Sequence, residues 1–198
     1  MAGGEGRIAV ARSGSNNWYL ELQPRVRPAM EMRGGEWMSL ESAYLELVGR
    51  WRRASLFRST EAVLEWEQQT YMPMGGAEHR SEQLALLAGC RHDCAADPRI
   101  GCLLGELEGS SLVQDELSPA AVNIREIRRE YDKATKLPKS LVEDLARTTS
   151  QAQHEWAAAR RTSDFARFLP WLDKVLELAR QKAAALDPDK PAYDVLLD

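Results

Sequence analysis

No run of apolar residues in this 198-residue chain approaches the length needed to cross a bilayer, so a membrane-spanning helix is not expected. Cysteine is scarce: three residues, an odd number, do not make a disulfide framework and point to a reducing compartment, with the cytoplasm as the expected location. Positive charge is not in excess either. A formal net charge of −4 argues against a general nucleic-acid binder, which needs a concentrated basic face. The sequence has no glycine-rich phosphate loop and no Gly-x-Ser-x-Gly elbow. It also has no sustained apolar–polar alternation of the kind a half-buried strand requires.

What is present is helical periodicity from Ser39 onward. Residues 1–36, rich in Gly, Ser, Asn and Arg and without an apolar signal core, read as a poorly ordered extension, with Met30, Met32 and Met38 as alternative starts. Residues 37–198 read as one helical domain. Ser39 is placed to cap a helix whose stripe is Leu40, Tyr44, Leu47, Val48 and Trp51. A second helix is expected over 59–70, closed by the breaker Pro73 with Gly75-Gly76. The helix 77–97 should stop at Asp97-Pro98, and a short helix at 99–108 should follow. Ser118-Pro119 opens another helix, and Pro138 and Ser163 precede long helices over 139–161 and 164–186, the last carrying Pro170 and an expected kink. The expectation is an all-α array of about seven antiparallel helices.

Candidate sites are few. His154-Glu155-x-x-Ala158 falls one ligand short of the His-Glu-x-x-His helix that holds zinc, where two histidines one turn apart bind the metal and the glutamate acts as base. With Leu141 as origin, Val142, Leu145, Ala146, Ala152, Trp156 and Ala159 span an arc of roughly 0–140°, which leaves His154 at roughly 220° and Ala158 at roughly 260°, off the expected core face. Cys90, Cys94 and Cys102 with His92 offer zinc-type donors, but Cys90 and Cys94 share a face that His92 does not, so the cysteines read as small core residues. Glu65, Glu67, Glu78, His79 and Glu82 gather near the Pro-Gly turn and read as a solvated face or as partners of Arg80. The run Arg50-Trp51-Arg52-Arg53 reads as cations complementing a helix end. A metal site assembled from His79, His92 and His154 is a weaker alternative.

Three motifs, taken together and in order, resemble the carboxypeptidase Taq family: Trp66-x-Gln68 with Met72-Pro73-x-Gly75, Tyr131-Asp132-x-Ala134-Thr135-x-Leu137-Pro138, and Ala152-Gln153-His154-x-Trp156. The resemblance runs from about residue 37 to 198. It implies a mostly helical, deeply clefted zinc-dependent metallocarboxypeptidase that removes single residues from peptide C-termini, often as a homodimer. The zinc-binding His-Glu-x-x-His helix and a later glutamate of that family have no counterpart in this sequence. Glu67 stands where the family usually has aspartate, and Cys90 and Cys94 where it has larger apolar residues. The resemblance therefore implies a truncated N-terminal helical region, inactive alone, with no catalytic or metal-binding residue of its own. Trp66, Gln68, Met72, Pro73, Gly75, Tyr131, Asp132, Thr135, Pro138, Gln153, His154 and Trp156 are expected to be structural or to line a cleft wall. Peptide substrate is expected only for a longer enzyme. Apolar helix faces left over from a larger fold should drive self-association, with Trp66, Trp156 and Trp171 as candidates, and a helical interaction module is the alternative reading.

Overall fold

A computed structural model describes residues 39–197, and the expected extension at 1–36 lies outside the described residues. The described residues form seven α-helices and no strand: α1 (Leu40–Thr70), α2 (Ala77–Ala95), α3 (Pro98–Leu107), α4 (Pro119–Lys136), α5 (Lys139–Thr162), α6 (Phe165–Leu186) and the short α7 (Ala192–Leu196). The all-α expectation holds.

The helix starts follow the capping chemistry. Ser39 Oγ accepts from Ser42 N at 3.2 Å, Asp97 accepts from Arg99 N ahead of Pro98, and Ser118 accepts from Ala121 N ahead of Pro119. Helix ends shift by up to two residues from expectation, and two boundaries differ in kind. The segments 40–57 and 59–70 are one helix of 31 residues, because Ser59 and Thr60 turn their hydroxyls back onto the Leu56 carbonyl and leave the ladder intact. Ser163 does not open α6. It closes α5 in the left-handed conformation, φ 53°, and Asp164 caps α6 through Arg167 N. Pro170 lies inside α6, one turn from its start.

α1 packs against α2 and α3, α2 against α5, α5 against α6, and α3 against α4. The pairs Arg80–Glu67 and Arg91–Glu61 run in opposite directions along α1 and α2, so these are antiparallel. Lys139–Asp93 and Arg147–Glu82 set α2 and α5 antiparallel in the same way. The apolar core sits at one end, where Tyr44 and Leu47 of α1 meet Ile100, Leu103, Leu104 and Leu107 of α3 and Ile124 and Ile127 of α4. Gly101 lets Tyr131 into this core, since a Cβ there would lie 2.5 Å from the phenol oxygen. Leu40, expected in the α1 stripe, is exposed at the helix start, whereas Val48 and Trp51 pack on the core.

Candidate functional site

The other end of the molecule is organised by polar groups. α1 and α2 are joined through the 3-10 turn Met74–Gly76, entered from Pro73, and Arg80 locks the hairpin. Its Nη1 donates to the Leu64 carbonyl at 2.6 Å, its Nε donates to Gln83, and the buried Glu67 Oε2 lies 2.5 Å from Nη1 as an ion pair. Gln68 crosses to α5 with both halves of its amide. Its Nε2 donates to the Ser150 carbonyl at 2.9 Å, and its Oε1 accepts from the Ser150 hydroxyl at 2.9 Å. Gln151 Nε2 donates to the buried Ser81 Oγ at 3.0 Å. Gly89 allows the close approach of α5, because a Cβ there would run into the Glu143 carboxylate and Lys139.

Between α1, α2 and α5 these clasps leave a cleft of about 220 Å³, lined by Glu61, Glu65, Gln68, Gln69, Leu84, Ala146, Thr149, Ser150 and Gln153. Glu61 is held by Arg91 at 3.0 Å. The rest of the lining mixes the amides of Gln68, Gln69 and Gln153, the hydroxyls of Thr149 and Ser150 and the Glu65 carboxylate with the apolar Leu84 and Ala146, a set able to hydrogen-bond a polar chain against an apolar patch. It contains no nucleophile paired with a base.

The motif residues fall into four groups. Gln68 and Gln153 line the cleft. Met72 packs under Gly76, Pro73 and Gly75 shape the hairpin turn, Tyr131 covers Gly101, and Pro138 starts α5. Asp132 sits 3.6 Å from Arg128, and the Thr135 hydroxyl donates to the Asp132 carbonyl at 3.2 Å. Trp66 is exposed, edge-on to Tyr71 at 5.6 Å, and Trp156 is exposed with Arg160 5.4 Å above its ring. Trp171, half-buried, carries Lys174 at 4.6 Å.

Several expectations need correction. Ala158 is buried and Trp156 is exposed, the reverse of the single-arc reading of α5, because this helix is packed by α2 on one flank and α6 on another. Glu155 of the near-motif is committed to Arg167 of α6 at 2.7 Å, which holds its carboxyl below the usual range. His154 is half-buried beside it. The cysteines are not core residues: Cys102 is exposed and Cys90 and Cys94 are half-buried. At 100° per residue, Cys90 and Cys94 stand roughly 180–220° from Ser81, on the side away from Leu84, Ala85 and Ala88. The Arg50–Arg53 run lies in mid-helix, not at a helix end, and Arg50 pairs with Glu46 and Asp97.

His92 was missed as a structural element. Its Nε2 lies 3.1 Å from the Ala134 carbonyl and 2.8 Å from that of Leu137, so Nε2 carries a proton and caps the end of α4 from α2. Nothing in local spacing announces a contact 42 residues away. The other ring nitrogen of His92, Nδ1, is buried with no hydrogen-bond partner. Among the described residues no three His, Cys, Asp or Glu side chains gather as a metal site, and His79, His92 and His154 do not assemble one.

Residues 46–198 match the family model described as carboxypeptidase Taq (M32) metallopeptidase. The chain belongs to this family. The M32 chain is 42% identical over 170 residues to thermostable carboxypeptidase 1 of Thermus thermophilus, covering 81% of this chain and 33% of that protein. It is similar in structure to metallocarboxypeptidase 1 of Trypanosoma cruzi, with a TM-score of 0.61 and 29% identity, covering 81% of this chain and 32% of that one. It is likewise similar to an M32 carboxypeptidase from Deinococcus radiodurans R1, with a TM-score of 0.55 and 34% identity, covering 74% and 29%. The M32 chain thus spans about a third of the length of the curated relative it matches. The family is one of metallopeptidases, and the described donors of this chain do not fit a catalytic zinc, which takes three protein ligands and a water.

Proposed function

We propose that this chain forms an N-terminal helical wall of a zinc-dependent metallocarboxypeptidase that releases C-terminal residues from peptides, and that it does not itself hold the zinc or the catalytic base. The observation that carries this reading is the family match over residues 46–198, joined to a described surface on which no metal-binding group forms. In this role the cleft between α1 and α5 supplies amide and hydroxyl groups along a substrate path, while hydrolysis depends on a His-Glu-x-x-His helix outside this sequence. The cytoplasm is the compartment proposed, on the three unpaired cysteines. Among the described residues no helix is long and apolar enough to cross a membrane.

The test is metal analysis of the purified chain together with C-terminal release from simple peptides, with and without added zinc. The expected result is zinc well below one per chain and no release. Stoichiometric zinc with release abolished by a chelator would sink the proposal. A second reading, a helical interaction module, is favoured by the exposure of Trp66 and Trp156.

A further inference from the structure

α2 carries two of the three cysteines of the chain one helical turn apart, at 90 and 94. At 100° per residue they stand roughly 40° from one another, so they share a face, on the side of α2 away from its buried Leu84, Ala85 and Ala88. Both thiols are free and half-buried. The three side chains between them are all drawn elsewhere: Arg91 to Glu61 of α1 at 3.0 Å, His92 to the Leu137 carbonyl at 2.8 Å, and Asp93 to Lys139 of α5 at 2.6 Å. No side chain of the intervening turn therefore stands between the two sulfurs. Side chains on a helix lean towards its N-terminus, which lays Cys94 over the turn of Cys90, and Cys90 over the turn of Leu86 and Leu87.

Spacing decides what such a pair can hold. Residues one turn apart have Cβ atoms ~5–6 Å apart, whereas a disulfide needs about 3.5–4.5 Å, so the sulfurs do not bond directly while the helix is intact. They can bond through one atom. A metal–thiolate bond is ~2.3 Å, so two in line span ~4.6 Å, within reach of both thiols. Zinc and iron–sulfur centres need further donors, and among the described residues no third His, Cys, Asp or Glu joins this pair. We propose that Cys90 and Cys94 form a two-coordinate site for a soft, closed-shell monovalent cation of the copper(I) class, selected by thiolate softness and by the lack of other donors. This goes beyond the carboxypeptidase reading and does not rest on it. Each thiol gives up its proton and the cation keeps its oxidation state, so one cation replaces two protons and the bridged pair carries a single negative charge. The Lys139 ammonium offsets that charge from α5. Its pKa is raised by the hydrogen bond to Asp93 foremost and by Cys90 among the smaller contributions, so it stands within electrostatic reach of that thiol. Cys102, exposed on α3, is outside the pair.

Copper(I) titration of the reduced full chain, without oxygen and against a chromogenic copper(I) chelator, tests this. One copper per chain is expected, and Cys90→Ser or Cys94→Ser should each weaken binding by about a hundredfold or more, since one thiol then binds without the second. Cys102→Ser should leave it unchanged. Leu86→Cys in the Cys94→Ser chain restores the four-residue spacing one turn earlier, at an exposed position, and should recover tight binding. Phenylarsine oxide, which needs two thiols to resist displacement by excess monothiol, should shield Cys90 and Cys94 from thiol reagents and leave Cys102 reactive. Binding no tighter in the wild type than in the single-serine variants at 90 and 94 overturns the proposal. So does binding that falls equally in Cys102→Ser, or a complex in which one copper joins two chains. A disulfide between Cys90 and Cys94 formed by mild oxidation with no loss of helix equally overturns it, because the sulfurs would then stand closer than the spacing allows.

Discussion

The two ends of α1 lie in different kinds of surroundings. Its first half packs Tyr44 and Leu47 into an apolar core with α3 and α4, where Leu47, Ile100, Leu103, Leu104 and Leu107 are fully buried. Its second half meets α2 and α5 through Arg80, Gln68, Ser150 and Arg91, and turns Val63 and Trp66 outward. The first end is held by non-directional burial, which tolerates small shifts in angle and resists loss of volume. The second joins a thinner apolar seam of Leu84, Ala85, Ala88 and Ala152 with directional bonds, each modest, which fix register and leave a cleft open between helices. Stability belongs to the first end, and the candidate site to the second.

The sharpest way to break this contrast is to remove volume from the first end. Leu103→Ala or Leu104→Ala should cost ~2–5 kcal/mol, seen as a large fall in the denaturant midpoint at unchanged slope. A loss under ~1 kcal/mol would mean that this end is not the anchor. At the second end, Gln68→Ala strips the partners of the Ser150 hydroxyl and carbonyl together and should cost ~1–3 kcal/mol. A double-mutant cycle with Ser150→Ala should return a coupling of at least ~0.5 kcal/mol, and additive losses would show that the two side chains do not act as a pair.

How much of this was legible beforehand also divides between the two ends. The core was readable because one stripe and strong caps specify it: Tyr44, Leu47, Val48 and Trp51 recur at helical spacing, and Ser39 and Ser118-Pro119 cap their helices. The polar end was not. On α5, Glu143, Arg147 and Gln151 form what reads as a solvated arc, yet that arc faces α2, where Arg147 meets Glu82 and Gln151 meets Ser81. Periodicity reports apolar faces only, so an interface built from hydrogen bonds resembles solvent until the neighbouring helix is placed. The same blindness hid the cap that His92 places on α4, and it placed Ala158 outside and Trp156 inside. The cleft shared the fate of its walls: Gln68 and Gln153 stood out through the family resemblance, whereas Ser150 carried no signal.

The smallest effect expected lies at the surface of the first end, at Glu46. Its carboxylate accepts from Arg99 Nη2 at 2.9 Å and Arg50 Nε at 2.8 Å, and these hydrogen bonds, Arg99 foremost, hold its pKa at about 2 against an ordinary 4.5. A carboxyl more acidic in the folded state binds fewer protons there than in the unfolded chain. Its contribution is therefore complete above pH 4.5 and is lost as pH falls from 4.5 towards 2. All three side chains are partly open to solvent, so screening keeps the effect small and salt-sensitive. Glu46→Gln should lower the melting temperature slightly at neutral pH and leave it nearly unchanged near pH 2, where the wild-type carboxyl begins to be neutral too. Added salt should narrow the neutral-pH gap, and a gap that persisted undiminished in acid would show that Glu46 acts through packing at the α1–α3 contact instead of through its charge.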